Sequence, residues 1–556
     1  MADGEATVSR REILGYTGTV GAGTILAGCV GGEPANNGDG SDGGDGGDGG
    51  DGGDGGDGGT GSGGEFVYLT TQTPASIDPA RSLDELEAIY NSNVYEPLVR
   101  YNDDFPPDVT PGVAADWEVA DDNVTYTFNL HEDMTFHNGD PVTAEDVVYS
   151  VERVMSIEAG PSWMWTGALT PDSATAVDET TVEIQLEQTF APFVKTLPWL
   201  SVVNKQQIEA NGSDEWGGDY LESNDAGSGP WALEEYARGE NITLSRNDDW
   251  WGEFASNVAD TVVIDTGMEV STIVGSLKNG DGHITDRWLA TANYQEFANA
   301  QSTKLSSTNT YNTYYIYMNM VKPPLDDVHV RRAISYAFDY ETAMGILGTE
   351  EELNGPMPDA MKHSTTEGIT QYTQDLEAAQ AELEESEYSI DEIEVTYASQ
   401  PAITANQDIG LMMEDQFSEV GITVNLEDVP WSSMVERASD PETSPQMFPL
   451  WGLVSYDDPD AYLWPMWHSS GVNNYLNGSN YQNDEVDALL EEGRRTLDED
   501  GRAEAYKQVQ QIVMDDAAAL MVANDTTEFG LAENVTGFND NGIMGYTHQF
   551  QQLGLE

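Results

Sequence analysis

Seven histidines, at positions 131, 137, 283, 329, 363, 468 and 548, are the first residues to test for chemistry. None stands in a His-Glu-x-x-His or comparable metal-ligand spacing. His137 adjoins an Asn138-Gly139 turn and reads as structural. The chain has one cysteine, Cys29, which rules out a disulfide framework and a thiolate zinc site. It has no Gly-Lys dipeptide, hence no phosphate-binding P-loop, and no Gly-x-Ser-x-Gly nucleophile elbow. Carboxylates for a glycosidase-type pair are so abundant, at 100 Asp plus Glu, that their adjacency carries no information. The residues on offer suit binding rather than covalent catalysis. They call for no metal and no cofactor.

The acids are set against 21 Lys plus Arg, giving a formal net charge of −79 over 556 residues. They are spread along the whole chain. Such an imbalance opposes a compact state by self-repulsion at ordinary ionic strength, and molar salt shortens its range to about 3 Å. A disordered acidic chain is excluded by the 39% hydrophobic content, with 13 Trp, 25 Tyr and 14 Phe. The composition reads as a folded protein adapted to very high salt, as in salt-loving archaea. Its surface repels nucleic acid and anionic lipid.

The N-terminus has the layout of an export signal: Arg10 and Arg11, a weakly apolar Gly- and Thr-rich run, then small residues before Cys29. The arginine pair resembles a twin-arginine signal, with Ile13 where that signal usually has Phe. Leu26-Ala27-Gly28-Cys29 resembles a lipobox, which would make Cys29 the lipidated first residue of the mature chain. The Asp-Gly tract 39–64 lacks the apolar positions a stacked calcium-binding repeat needs. It reads as a tether, about 35 residues from Cys29 to the folded part and spanning roughly 35 Å as a coil. The expected order is a signal over 1–28, a tether over 29–64, and a folded remainder of about 490 residues, too long for one core.

The folded part mixes strands and helices. EFVYLTTQ reads as a strand, and TYTFNL as an alternating strand leading through Asn138-Gly139 to a helix capped by Thr143 and Asp146. TVEIQLE is a second alternating strand. VRRAISYAFDYETAMGIL is helical by period. The segment 483–516 reads as two helices broken near 498–501.

Four stretches, taken in order, resemble one family. These are 94–154, GSGPWALEEYARGENITLSRNDDWW (227–251), MNMVKPPLDDVHVRRAISYAFDY (318–340) and 457–513. Together they are similar to the large extracellular solute-binding proteins of ABC importers, family 5, the dipeptide, oligopeptide and nickel binders. The resemblance covers essentially all of 65–556. It implies an α/β, two-lobed periplasmic-binding-protein-like fold of the large type, with a ligand cleft between lobes and a hinge of crossing strands. Lobe 1 would be 65–310, with an extra subdomain at about 80–190, plus the returning 520–556. Lobe 2 would be 311–519. The crossovers fall near YNTYYIYMNM and AALMVAND.

The resemblance also implies site residues. Thr70, Thr71 and Gln72 follow the first strand, where peptide-binding members contact their ligand. In LWGLVSYDDPDAYLWPMW such members carry an aromatic residue, then an Asp that pairs with the peptide's α-ammonium. Counting back from Pro459, that Asp position is Ser455; Trp451 matches the aromatic if one residue is inserted. A serine supplies no ion pair, so either Asp457 or Asp458 compensates or the ligand carries no free amine. Trp451, Tyr456 and Trp431 are candidate walls, and Arg437 is the candidate carboxylate clamp. Arg331 and Arg332 fall in a pattern the family uses structurally.

The implied function is capture of a peptide-like solute by lobe closure and delivery to a permease served by separate ATPase subunits. The protein would be a monomer anchored by lipid to the outer face of the cell membrane. An oligosaccharide, stacked on Trp faces, is the alternative ligand. Unclustered histidines argue against nickel. Outside the class stand a surface hydrolase and a non-transport adhesion or sensing module.

Overall fold

A computed structural model describes residues 64–82, 84–214, 216–389, 394–400 and 403–556. The segments expected to be an export signal and, up to residue 63, a tether lie outside the described residues, as does Cys29, the expected lipidation site.

The organising feature is a ten-stranded mixed sheet. From one edge it runs Thr423–Asp428, Glu394–Ser399, Met447–Gly452, Thr303–Met318, Ala519–Ala532, Ile284–Thr285, Glu65–Leu69, Thr261–Asp265, Asn241–Arg246 and Trp231–Ala237. The two central strands are long and antiparallel, and they belong to both halves of the molecule. Residues 303–309 of the first pair with 526–532 of the second, and 313–317 pair with 519–524. The register shifts between Asn309 and Thr313, so Asp525 lies opposite the irregular residues 310–312. A bulge of this kind breaks the ladder and bends the strand where two lobes meet.

Two apolar cores flank this point. One gathers Phe66, Tyr68, Leu86, Ile89, Trp231, Ile264, Phe297, Phe529 and Phe550 around the first-lobe strands. The other joins the second lobe, with Tyr314, Tyr397, Phe448 and Trp467, to a smaller region built on an antiparallel four-stranded sheet of Ala114–Val119, Thr125–Leu130, Thr181–Gln185 and Ala174–Ala176. In Thr125–Leu130 the alternation buries Tyr126, Phe128 and Leu130 on one face.

The expected local signals have their physical counterparts. Asp146 accepts from both the N–H and the hydroxyl of Thr143 at the start of the helix Ala144–Ile157. The helices Asp484–Arg495 and Glu499–Asp515 are divided where Asp498 accepts from the Gly501 N–H. The helical run expected from 330 to 347 is two helices, Val328–Ala337 and Tyr340–Leu347. The break follows from Asp339, whose carboxylate accepts from the Thr342 N–H and hydroxyl and so starts a new helix. Among the described residues no helix is long and apolar enough to cross a membrane.

Candidate ligand-binding site

The ends of two first-lobe strands converge beside the crossing strands. After Glu65–Leu69 the chain leaves the sheet at Thr70, Thr71 and Gln72; after Ile284–Thr285 it leaves at Asp286, Arg287 and Trp288. Asp286 ties the two exits together. Its carboxylate accepts from the hydroxyls of Thr70 and Thr71 at 2.8 Å each and from the Thr71 N–H at 2.7 Å. Burial nevertheless raises its pKa. Glu85 opens a helix, Glu85–Val94, and accepts from Arg287 Nε at 2.6 Å, from Trp288 Nε1 at 2.8 Å and from Gln72 Nε2 at 3.2 Å. Burial pushes the Glu85 carboxyl up, but Arg287 and the Trp288 hydrogen bond more than offset it. Thr70, Thr71 and Gln72 are thus bound into one polar network with Asp286 and Glu85.

Trp288 then meets the second lobe. Its ring stands edge-on to Trp451, at a centroid separation of 6.3 Å and an angle of 83°. Trp451, in Met447–Gly452, also packs edge-on against Tyr314 at 4.7 Å. Its Nε1 donates to the Asp525 carboxylate at 2.7 Å. Burial pushes Asp525 up to about 6. Nearby, Asp540 is 1% exposed, faces Arg287 and Glu85, and has one carboxylate oxygen without a hydrogen-bond partner. The first-lobe loops therefore present Gln72, Glu85, Arg287 and Trp288, and beside them stand Trp451 and Tyr314 of the second lobe and Asp525 of the returning crossing strand.

The segment after Trp451 packs elsewhere. The Ser455 carbonyl accepts from Trp199 Nε1, and Tyr456 is buried, donating to Asp460 at 2.8 Å. Asp457 is held by Lys195 Nζ at 2.8 Å and by the Tyr311 hydroxyl, and Asp458 by Arg502 at 2.7 Å. These four residues sit where the smaller region meets the second lobe, and both acids already have cationic partners. Trp431 is 45% exposed and stands edge-on to Tyr475 at 5.7 Å; Tyr475 in turn lies within electrostatic reach of Asp84, on the first lobe. Arg437 pairs with Glu427 at 2.9 Å. The two line a surface groove of about 390 Å³ with Lys322, Thr396 and Pro445, apart from the Trp288–Trp451 contact.

Glu85, Asp286, Arg287, Trp288, Tyr314 and Asp525 escaped the reading of the sequence. Asp525 alone carried a local signal, the first charge after the apolar strand segment Ala519–Ala523. The described residues hold no group of three or more His, Cys, Asp or Glu placed to bind a metal.

Two lobes joined by crossing strands, with polar and aromatic side chains meeting at the crossing, define a periplasmic-binding-protein fold. Residues 108–474 match the family described as "Bacterial extracellular solute-binding proteins, family 5 Middle". The chain is 30% identical over 480 residues to the "Probable D,D-dipeptide-binding periplasmic protein DdpA" of Escherichia coli K12, covering 85% of this chain and 90% of that one. It is 27% identical over 511 residues to "Heme-binding protein A" of Haemophilus influenzae, covering 86% and 90%. The Helicobacter pylori periplasmic binding protein DppA, solved in complex with the peptide STSA, superposes with a TM-score of 0.78 over 89% of this chain and 98% of that one, at 22% identity. The chain belongs to family 5 of the extracellular solute-binding proteins, a family of binders and not of enzymes.

Proposed function

We propose that this protein is the substrate-binding component of an ABC importer, capturing a peptide-like solute between its lobes and delivering it to a membrane permease. The observation that carries the reading is the meeting of Trp288 and Trp451 at 6.3 Å across the crossing strands, with carboxylates on both sides. Aromatic faces supply apolar area to side chains of varied shape, and flanking acids suit a peptide's charged amine. Relatives named as dipeptide binders point the same way.

In this reading lobe 1 is 65–310 with 520–556, lobe 2 is 311–519, and 310–312 opposite Asp525 serves as the hinge. Thr70, Thr71 and Gln72 shape the floor, and Trp431 lies at the rim. The chain is exported on the signal over 1–28, anchored through lipid on Cys29 and held off the membrane by the tether over 29–64. Retention of a Cys29→Ser variant in the membrane fraction would refute the anchor.

The test is a thermal-shift screen of residues 65–556 in molar KCl. The panel holds di- to pentapeptides, cello- and malto-oligosaccharides and nickel chelates. Binding to the folded state raises the midpoint by mass action. Peptides alone should raise it. A rise with sugars alone would replace the peptide by the oligosaccharide.

A further inference from the structure

If the cleft takes a peptide, something must receive its cationic end, and the acids beside Ser455 are already paired. Asp457 lies against Lys195, and Asp458 against Arg502. We propose that Asp525, on the second crossing strand, is the residue that binds the ligand's ammonium group, with Trp451 and Trp288 as the walls around it. This rests on the reading of the cleft as the solute site.

Three observations carry it. First, Asp525 is half-buried, and its carboxylate is bonded only by the neutral Trp451 Nε1 at 2.7 Å and the Thr526 backbone N–H. A desolvated carboxylate without a cation is unfavourable and becomes favourable once one arrives.

Second, the described residues have no cation left to give. Every Lys and Arg of the described residues is in an ion pair, except Lys304, Lys322, Arg331 and Arg332, which donate to backbone carbonyls. The nearest one, Arg287, is held by Glu85 at 2.6 Å.

Third, Arg287 is outnumbered. Asp540 faces it as well, 1% exposed and with an unpartnered carboxylate oxygen. The cleft wall is a carboxylate excess around one neutralised cation. It favours a ligand anchored by its amine, with an apolar body against the tryptophans, over one clamped by its carboxylate.

Protonation of Asp525 should weaken this binding. The charged or titratable groups facing it are Arg287, Glu528 and Tyr314. Its carboxyl is pushed up to about 6 by burial, so the acceptor is lost as pH falls through that value.

The experiment is calorimetric titration, in molar KCl, of the wild-type chain and Asp525→Asn with di- to tetrapeptides of Ala, Leu and Phe and their N-acetylated forms. Asparagine keeps one acceptor oxygen for Trp451 and exchanges the charged second oxygen for a neutral amide NH2. Free peptides should bind wild type at least about 30-fold tighter than their acetylated forms and at least about 30-fold tighter than they bind Asp525→Asn. Wild-type affinity should fall from pH 7.5 to pH 5, and that of the variant should stay level. Equal binding of free and acetylated peptides, or undiminished binding by Asp525→Asn, would overturn the anchor and leave the peptide reading standing. Failure of every peptide on both proteins would overturn both. If the variant does not fold, the acetylation and pH series on wild type decide alone.

Discussion

Lys195 Nζ lies 2.8 Å from the Asp457 carboxylate, joining the smaller region to the second lobe across 262 positions of sequence. The same carboxylate accepts from the Tyr311 hydroxyl, next to the bulge in the crossing strands, and the Asp457 N–H donates to the Tyr101 hydroxyl at 3.1 Å. Trp199 Nε1 to the Ser455 carbonyl adds to this seam. The polar contacts that fasten the second lobe are thus made by the very segment in which the resemblance placed an amine-binding acid.

Lys195→Met should therefore cost more than its own surface exposure suggests. It leaves Asp457, 8% exposed, with Tyr311 as its remaining side-chain donor. A cost of about 1–3 kcal/mol is expected. Adding Asp457→Asn removes the stranded charge, so the double variant should regain part of the loss. Chemical denaturation in molar salt measures all three. A double variant no more stable than Lys195→Met would show that the pair acts through something other than charge.

The seam and the cleft show where sequence reading stops. The strands, the Thr143 capping box and the break at Asp498 are written in neighbouring residues, because caps and alternation act over three or four positions. Ser455 could be found by counting from Pro459. Its partners could not: Trp451 reaches Asp525 only because Met447–Gly452 and Ala519–Ala532 both flank Thr303–Met318 in the sheet. Glu85 and Arg287 are 202 positions apart. Nothing in either segment marks the other, and with 100 acids no carboxylate announces which partner it has.

His548 gives a pH prediction of definite sign. It is fully buried among Tyr68, Phe529, Phe538 and Phe550, with ring centroids from 4.4 to 6.3 Å. Its Nδ1 is 2.8 Å from the Thr547 hydroxyl, and its Nε2 has no hydrogen-bond partner. Burial pulls its pKa down to about 4. Between the unfolded value near 6.5 and about 4, the unfolded chain holds a proton that the folded one does not. The contribution of His548 to stability is thus lost as pH falls through that window, by up to about 3 kcal/mol. His548→Phe should lose less stability than wild type between pH 7 and pH 4. Identical pH slopes for the two proteins, read by denaturation at several pH values, would mean that His548 titrates alike in both states.

The charge balance predicts a fold that depends on salt. The formal charge is −79, and the cations of the described residues are already committed to one or two acids each or to carbonyls. Most acids therefore repel one another without compensation. At about 0.1 M salt the screening length is about 10 Å, long enough for neighbouring surface carboxylates to feel each other; near 1 M it is about 3 Å. The apolar cores keep the same contacts under both conditions, so any loss of structure on dilution reports the repulsion. Circular dichroism and tryptophan fluorescence should show unfolding as KCl is lowered from molar to about 0.1 M, reversed on restoring the salt. Acidification should protect partly at low salt, because protonating carboxylates removes the same repulsion. A fold unchanged at 0.1 M KCl would mean that the buried area in the two cores outweighs the full surface charge without screening.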